Sequence, residues 1–152
     1  MTETIICQTP DETYELGKQI GDGLQASDAV LLRGGLGAGK TLLAKGILDA
    51  LGFDVDEVTS PSFTLVNIYP TERIDVYHID LWRVDKDGGP AFCVGLDEIV
   101  EQPRSAVIIE WAERLGDYAF PARVFEITIE GSGDQPRIIR IESKTKTFGE
   151  TV

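Results

Sequence analysis

The chain has 152 residues, with 14 Lys+Arg against 26 Asp+Glu, a net charge of −12 and a pI of about 4.4. The length suits one domain with a core of its own, and 42% hydrophobic with 26% charged residues describes a globular chain, neither disordered nor fibrous. So acidic a balance argues against broad contact with a phosphate backbone, and hence against a sequence-reading DNA or RNA module; any anionic ligand must be held by a few aimed groups.

Ile5-Ile6-Cys7 reads as a short strand. Thr9 then caps a helix, with Pro10 in its first turn, Glu12 completing a capping box and Leu16, Ile20 and Leu24 forming an apolar face. Ala29-Val30-Leu31-Leu32 is a continuous apolar run, the pattern of a strand covered on both faces. After a glycine-rich turn, Leu42, Leu43, Ile47, Leu48 and Leu51 mark a second helix that Gly52 stops. Phe63 to Tyr69 and Ile74 to Leu81 are β-rich and joined by Pro70-Thr71-Glu72-Arg73, a hairpin pattern. Asp87-Gly88-Gly89-Pro90 reads as a turn and Gly95 to Val100 as a short helix. Ala106-Val107-Ile108-Ile109 is a second fully buried strand ending at Glu110-Trp111. Val124 to Glu130 and Arg137 to Glu142 flank Gly131-Ser132-Gly133-Asp134 as a terminal hairpin. The expected architecture is one α/β domain over residues 1–152, three layers deep, with a mixed central sheet, a C-terminal β-hairpin and a flexible tail of about eight residues.

Cys7 and Cys93 stand far apart and His78 is the single histidine, which leaves no Cys/His zinc spacing. Two inert thiols are expected, not a disulfide. No apolar run approaches the roughly 20 residues of a membrane span, and the first residues lack a signal-peptide pattern. A soluble, cytoplasmic protein is the expectation.

Gly34-Gly35-Leu36-Gly37-Ala38-Gly39-Lys40-Thr41 fits G-x-x-x-x-G-K-[ST], with a buried strand before it and an amphipathic helix after it. Glycines let the backbone curl so that successive N–H groups face phosphate oxygens, and the following helix adds its positive end. Lys40 is expected at the β- and γ-phosphates, with the Thr41 hydroxyl on Mg²⁺. Asp80 and Glu110 end β-like runs, where ligands sit in an α/β sheet; either could bind Mg²⁺, hold its water shell or orient an attacking water. Thr59-Ser60-Pro61-Ser62-Phe63-Thr64 lies where such proteins place a switch loop. His78 would share a strand face with Asp80, as a structural or a catalytic group, and Trp111 could pack beside the nucleotide. Asp85-Lys86-Asp87-Gly88 matches D-x-x-G, but no guanine-reading N-K-x-D follows.

Taken in order, Gly34 to Thr41, Ser60-Pro61-Ser62-Phe63-Thr64-Leu65-Val66, His78-Ile79-Asp80-Leu81-Trp82-Arg83, Gly95-Leu96-Asp97-Glu98 and Ile109-Glu110-Trp111 resemble the bacterial TsaE (YjeE) family over nearly the whole chain. That resemblance implies a P-loop fold binding ATP or ADP with Mg²⁺. It also implies ATPase activity in tRNA threonylcarbamoyladenosine formation beside partners TsaB and TsaD, which would carry the RNA contact; neither DNA nor membrane is involved. It assigns phosphate binding to Leu36, Gly37, Ala38, Gly39, Lys40 and Thr41, metal binding to Thr41 and Glu110, a Walker-B-like role to Asp80 and a switch role to Ser60–Thr64. Gly35, Leu42, Ser62 and Trp82 depart from the family's usual Asp, Thr, Thr and Tyr. Two alternatives carry the same motif: a small-molecule kinase, which needs an arginine-bearing lid that Arg83, Arg104 and Arg114 do not build by clustering, and a nucleotide-dependent switch with negligible turnover.

Overall fold

The computed structural model describes residues 2–59, 61, 64–84 and 89–144. In chain order these form β1 (Thr2–Cys7), α1 (Pro10–Asp22), β2 (Ala29–Gly34), α2 (Lys40–Ala50), β3 (Val66–Pro70), β4 (Asp75–Asp80), α3 (Pro90–Val94), α4 (Leu96–Val100), β5 (Ser105–Glu110), β6 (Val124–Glu130) and β7 (Arg137–Lys144), with 3₁₀ turns at Val55–Glu57 and Ala112–Arg114. The strands make one mixed sheet in the order β1-β7-β6-β2-β5-β4-β3. β2 runs parallel to β5 and β6, and β4 parallel to β5, while the β3–β4, β6–β7 and β1–β7 pairs are antiparallel.

The apolar runs at 29–32 and 106–109 lie in the middle of this sheet and alternate between two cores. Val30, Leu32, Ala106 and Ile108 pack with Leu43, Ile47 and Leu48 of α2 and Leu16 of α1. Ala29, Leu31, Val107 and Ile109 face the other way, onto Leu96 and Ile99 of α4 and Phe120. Every residue of β5 is buried, as an unbroken apolar strand requires. The expected three layers, mixed sheet and C-terminal hairpin are all present.

α1 begins as its spelling dictates: the Thr9 hydroxyl accepts from the Glu12 N–H at 3.2 Å, and the Glu12 carboxylate accepts from the Gln8 N–H. It then crosses α2 very closely. A Cβ added at Gly46 would lie 2.2 Å from the Tyr14 carbonyl oxygen, and one at Gly17 would lie 2.4 Å from that of Leu43. Glycine here is a packing residue that lets two backbones touch.

Several boundaries differ from the sequence reading. β1 starts at Thr2 because all six of its residues pair with β7, a partner the local pattern could not reveal. The hairpin arms are Val66–Pro70 and Asp75–Asp80, shorter than the apolar runs suggested. Pro90 opens an additional short helix, which ends at Gly95 with φ +69 before α4 starts. Neither Cys7 nor Cys93 forms a disulfide. No helix among the described residues is long and apolar enough to cross a membrane. Asp85–Gly88 and the expected tail at 145–152 lie outside the described residues.

Candidate functional site

The carboxyl ends of β2, β4 and β5 converge on one cleft of about 440 Å³, lined by the loop from Leu36 to Thr41, by Asp80, Trp82 and Arg83 after β4, and by Glu110 and Trp111 after β5. The loop between β2 and α2 turns through Gly37 (φ +76) and Gly39 (φ +110), conformations that an L side chain resists. Position 35 is different: a Cβ there would meet nothing within 4 Å, so packing does not demand the glycine that departs from the family pattern.

Lys40 is the first residue of α2, yet its side chain folds back across the loop. Its ammonium donates to the carbonyls of Gly34 (2.7 Å) and Gly35 (2.8 Å) and lies 3.9 Å from the centre of the Trp111 ring. Only 5% of this lysine is exposed. Burial therefore lowers its pKa from the ordinary 10.5, against the opposing pull of Glu110, Glu113 and Asp80. A cation desolvated in this way, with carboxylates on one side and an aromatic face on the other, is placed to meet a polyanion.

Glu110 is held at three points. Its backbone is fixed at the end of the buried β5, its Oε1 and Oε2 both lie 3.1 Å from the Thr41 hydroxyl, and its Oε2 lies 2.6 Å from His78 Nε2. His78 is fully buried two residues before Asp80, and its Nδ1 has no hydrogen-bond partner. Among the described residues, the one hydrogen bond of its ring is therefore the one that grips Glu110. Register sets Asp80 directly beside Glu110 on adjacent parallel strands. The Asp80 carboxylate is nearly buried and accepts from the Trp82 N–H at 2.8 Å, which fixes the turn leaving β4.

Trp111 follows Glu110 at φ +59, a left-handed conformation costing about 1–2 kcal/mol for a residue with a Cβ. The kink directs its indole between Lys40 and Trp82, whose ring centre is 4.3 Å away, and Arg114 sits 5.2 Å beyond Trp82. Lys40, Trp111 and Trp82 thus follow one another along the cleft wall, the two indole planes inclined at 36°, with Arg114 behind Trp82.

The expected residues Gly37, Ala38, Gly39, Lys40, Thr41, Leu36, Asp80, Glu110 and Trp111 thus share one cleft, with Gly34 and Gly35 supplying the carbonyls that hold Lys40. The switch segment does not join them in its described part: Thr59 and Thr64 hydrogen-bond to Tyr69 and Asn67, away from the cleft lining, and Ser60, Ser62 and Phe63 lie outside the described residues. Arg83, weighed in the sequence only as part of an arginine lid, lines the cleft three residues after Asp80. Arg137, from the far end of the chain, donates to the carbonyls of Gly37 and Ala38, and no local pattern marked it. A second cleft of about 280 Å³ lies across the loop between the start of α1 and the β6–β7 turn; Gly37, Ala38, Gly39 and Leu42 line both clefts.

A glycine loop between a central parallel strand and a helix, with a lysine folded over it and a carboxylate on the neighbouring strand, defines the P-loop NTPase-like fold class. The model of the family "Threonylcarbamoyl adenosine biosynthesis protein TsaE" matches residues 7–139, and the chain belongs to that family. Among the curated proteins, the TsaE of Mycobacterium leprae is 37% identical over 83% of this chain and 81% of its own length. That of Aquifex aeolicus is 36% identical over 75% of this chain and 80% of its own. The TsaE of Bacillus subtilis is 32% identical over 86% and 78%. The crystal structure of Bacillus subtilis YdiB superposes with a TM-score of 0.73 at 27% identity, covering 99% of this chain and 90% of that one.

Proposed function

We propose that this chain is a Mg²⁺-dependent ATPase subunit that acts with TsaB and TsaD to drive or reset the cycle forming the threonylcarbamoyl group on the adenosine next to the tRNA anticodon. The observation that carries the ATPase reading is the triad of Lys40, Thr41 and Glu110, which one buried strand and one helix start bring to the mouth of a single cleft. Lys40 would stand at the β- and γ-phosphates of ATP, and the N–H groups from Leu36 to Thr41 would hold their oxygens. The nucleoside would extend past Gly39 and Leu42 toward the second cleft, which those residues also line.

The oxygen donors here fit magnesium: a hydroxyl on Thr41 and a carboxylate on Glu110, close enough to share one ion. Among the described residues no group of three or more His, Cys, Asp or Glu could hold a metal by itself, so phosphate oxygens and water would complete the shell of a bound ion. When bound, the ion neutralises the charge that develops on the transferring phosphoryl group. His78 keeps the Glu110 carboxylate turned toward Thr41, and Asp80, its register neighbour, would hold a water of the ion's shell. The net charge of −12 supports leaving the tRNA contact to the partners.

The test is phosphate release from Mg-ATP by the purified chain alone and with TsaB, TsaD and tRNA. Release that rises when the partners are added is expected. Tight nucleotide binding with no release under any condition would overturn hydrolysis in favour of a binding switch. Transfer of the phosphoryl group to a small metabolite would make the protein a kinase.

A further inference from the structure

The phosphate loop is anchored from outside by a side chain 100 positions further along the chain. Arg137, the first residue of β7, donates from Nε to the Ala38 carbonyl at 2.9 Å and from Nη2 to that of Gly37 at 3.4 Å. The same guanidinium donates to the carbonyls of Gly133 (3.1 Å) and Gln135 in the β6–β7 turn. All four contacts go to backbone oxygens, two in the loop and two in the hairpin. A flat guanidinium with donors fixed in a fork can bind two neighbouring carbonyls at set angles, which a single ammonium cannot.

Peptide geometry gives this contact a consequence for the site. In a planar trans peptide the C=O and the following N–H point in opposite directions. With the Ala38 carbonyl turned out to Arg137, the Gly39 N–H is turned away from it. The weaker bond to Gly37 acts likewise on the Ala38 N–H, which points into the loop and donates to Gly35 at 3.2 Å. The peptide between residues 38 and 39 turns about ψ of Ala38 and φ of Gly39, and Gly39, at φ +110, resists that rotation least. An external anchor therefore decides which way it faces.

We propose that Arg137 is a positioning residue for phosphate binding: it holds the peptides at Gly37 and Ala38 with their carbonyls outward, so that the loop's N–H groups are set before the phosphates arrive. The proposal rests on the reading of this loop as the phosphate site. It also links the β6–β7 hairpin to nucleotide occupancy, since one guanidinium holds both.

Arg137→Met and Arg137→Lys test this through affinities for ADP and for inorganic pyrophosphate, each with Mg²⁺, measured by competition against a fluorescent ADP analogue. Loss of charge-assisted hydrogen bonds to the loop should weaken both ligands by the same factor, roughly tenfold for Met, with Lys between Met and wild type. Weaker ADP binding with unchanged pyrophosphate binding would overturn the proposal, because Arg137 would then only wall the second cleft. Unchanged affinity for both would overturn it outright. Should Arg137→Met fail to fold, Arg137→Lys keeps the charge and the stem and carries the same comparison. A wild-type protein that bound neither ligand would instead overturn the phosphate-loop reading itself.

Discussion

Replacing Gly46 by Ala should destabilise this protein, although the same change in an exposed helix stabilises. The new Cβ would sit 2.2 Å from the Tyr14 carbonyl oxygen and 3.0 Å from the Gly17 Cα. A carbon–oxygen contact needs roughly 3.3 Å, so α1 and α2 must part by about 1 Å. Overpacking of this kind costs about 1–3 kcal/mol, and the better helix propensity of alanine returns about 1 kcal/mol. The net loss is up to about 2 kcal/mol, a fall in Tm of up to roughly 8 °C for a chain of this size. Because α2 begins with Lys40 and Thr41, the same displacement should weaken ADP binding several-fold. Thermal unfolding followed by circular dichroism, with an ADP titration of both proteins, measures the two effects. A rise in Tm would refute the reasoning, since it would mean that the helices do not touch backbone to backbone at this point.

Two more expectations come from the cleft. Burial sets the Lys40 pKa below 10.5 in the folded protein, so above that lowered value the unfolded chain holds more protons than the folded one and stability rises with pH up to 10.5. Nucleotide affinity should fall over the same window as the ammonium is lost, and ADP titrations from neutral pH to 10.5 should show the fall in wild type but not in Lys40→Arg, whose charge persists; a flat wild-type profile would remove Lys40 from the phosphates. Glu110→Gln keeps size and hydrogen-bonding capacity but deletes the charge beside Thr41, so the Mg²⁺ concentration for half-maximal nucleotide binding should rise roughly tenfold or more while metal-free ADP binds as before. An unchanged Mg²⁺ requirement would make Glu110 a bystander.

How much of this was legible in advance differs from element to element. The loop from Gly34 to Thr41, the strands at 29–32 and 106–109 and the capped start of α1 were all readable, because each depends on neighbours in sequence: torsional freedom, alternating burial and a hydroxyl three residues from its N–H. Trp111 was readable as an aromatic next to a strand-end acid, but its place in a row with Lys40, Trp82 and Arg114 depends on a left-handed kink that no pattern announced. His78 left two readings open in the sequence, and its 2.6 Å contact with Glu110 settles its partner. The short helix at Pro90–Val94 escaped because glycine and proline at its start read locally as a turn.

By itself the sequence determined that this chain carries a glycine-rich G-x-x-x-x-G-K-T loop between a buried strand and a helix, which acids end the neighbouring strands, and which family the set of motifs resembles. These follow from short-range stereochemistry and from the periodicity of burial. Only the tertiary structure decided that Glu110 is shared by Thr41 and His78, that glycines let α1 and α2 touch, and that Arg137 reaches the loop from the last strand. Each of those contacts joins residues roughly 30 to 100 positions apart, and such contacts exist only once the sheet order β1-β7-β6-β2-β5-β4-β3 brings distant strand ends side by side. A pattern confined to neighbours along the chain carries no information about which strand lies beside which.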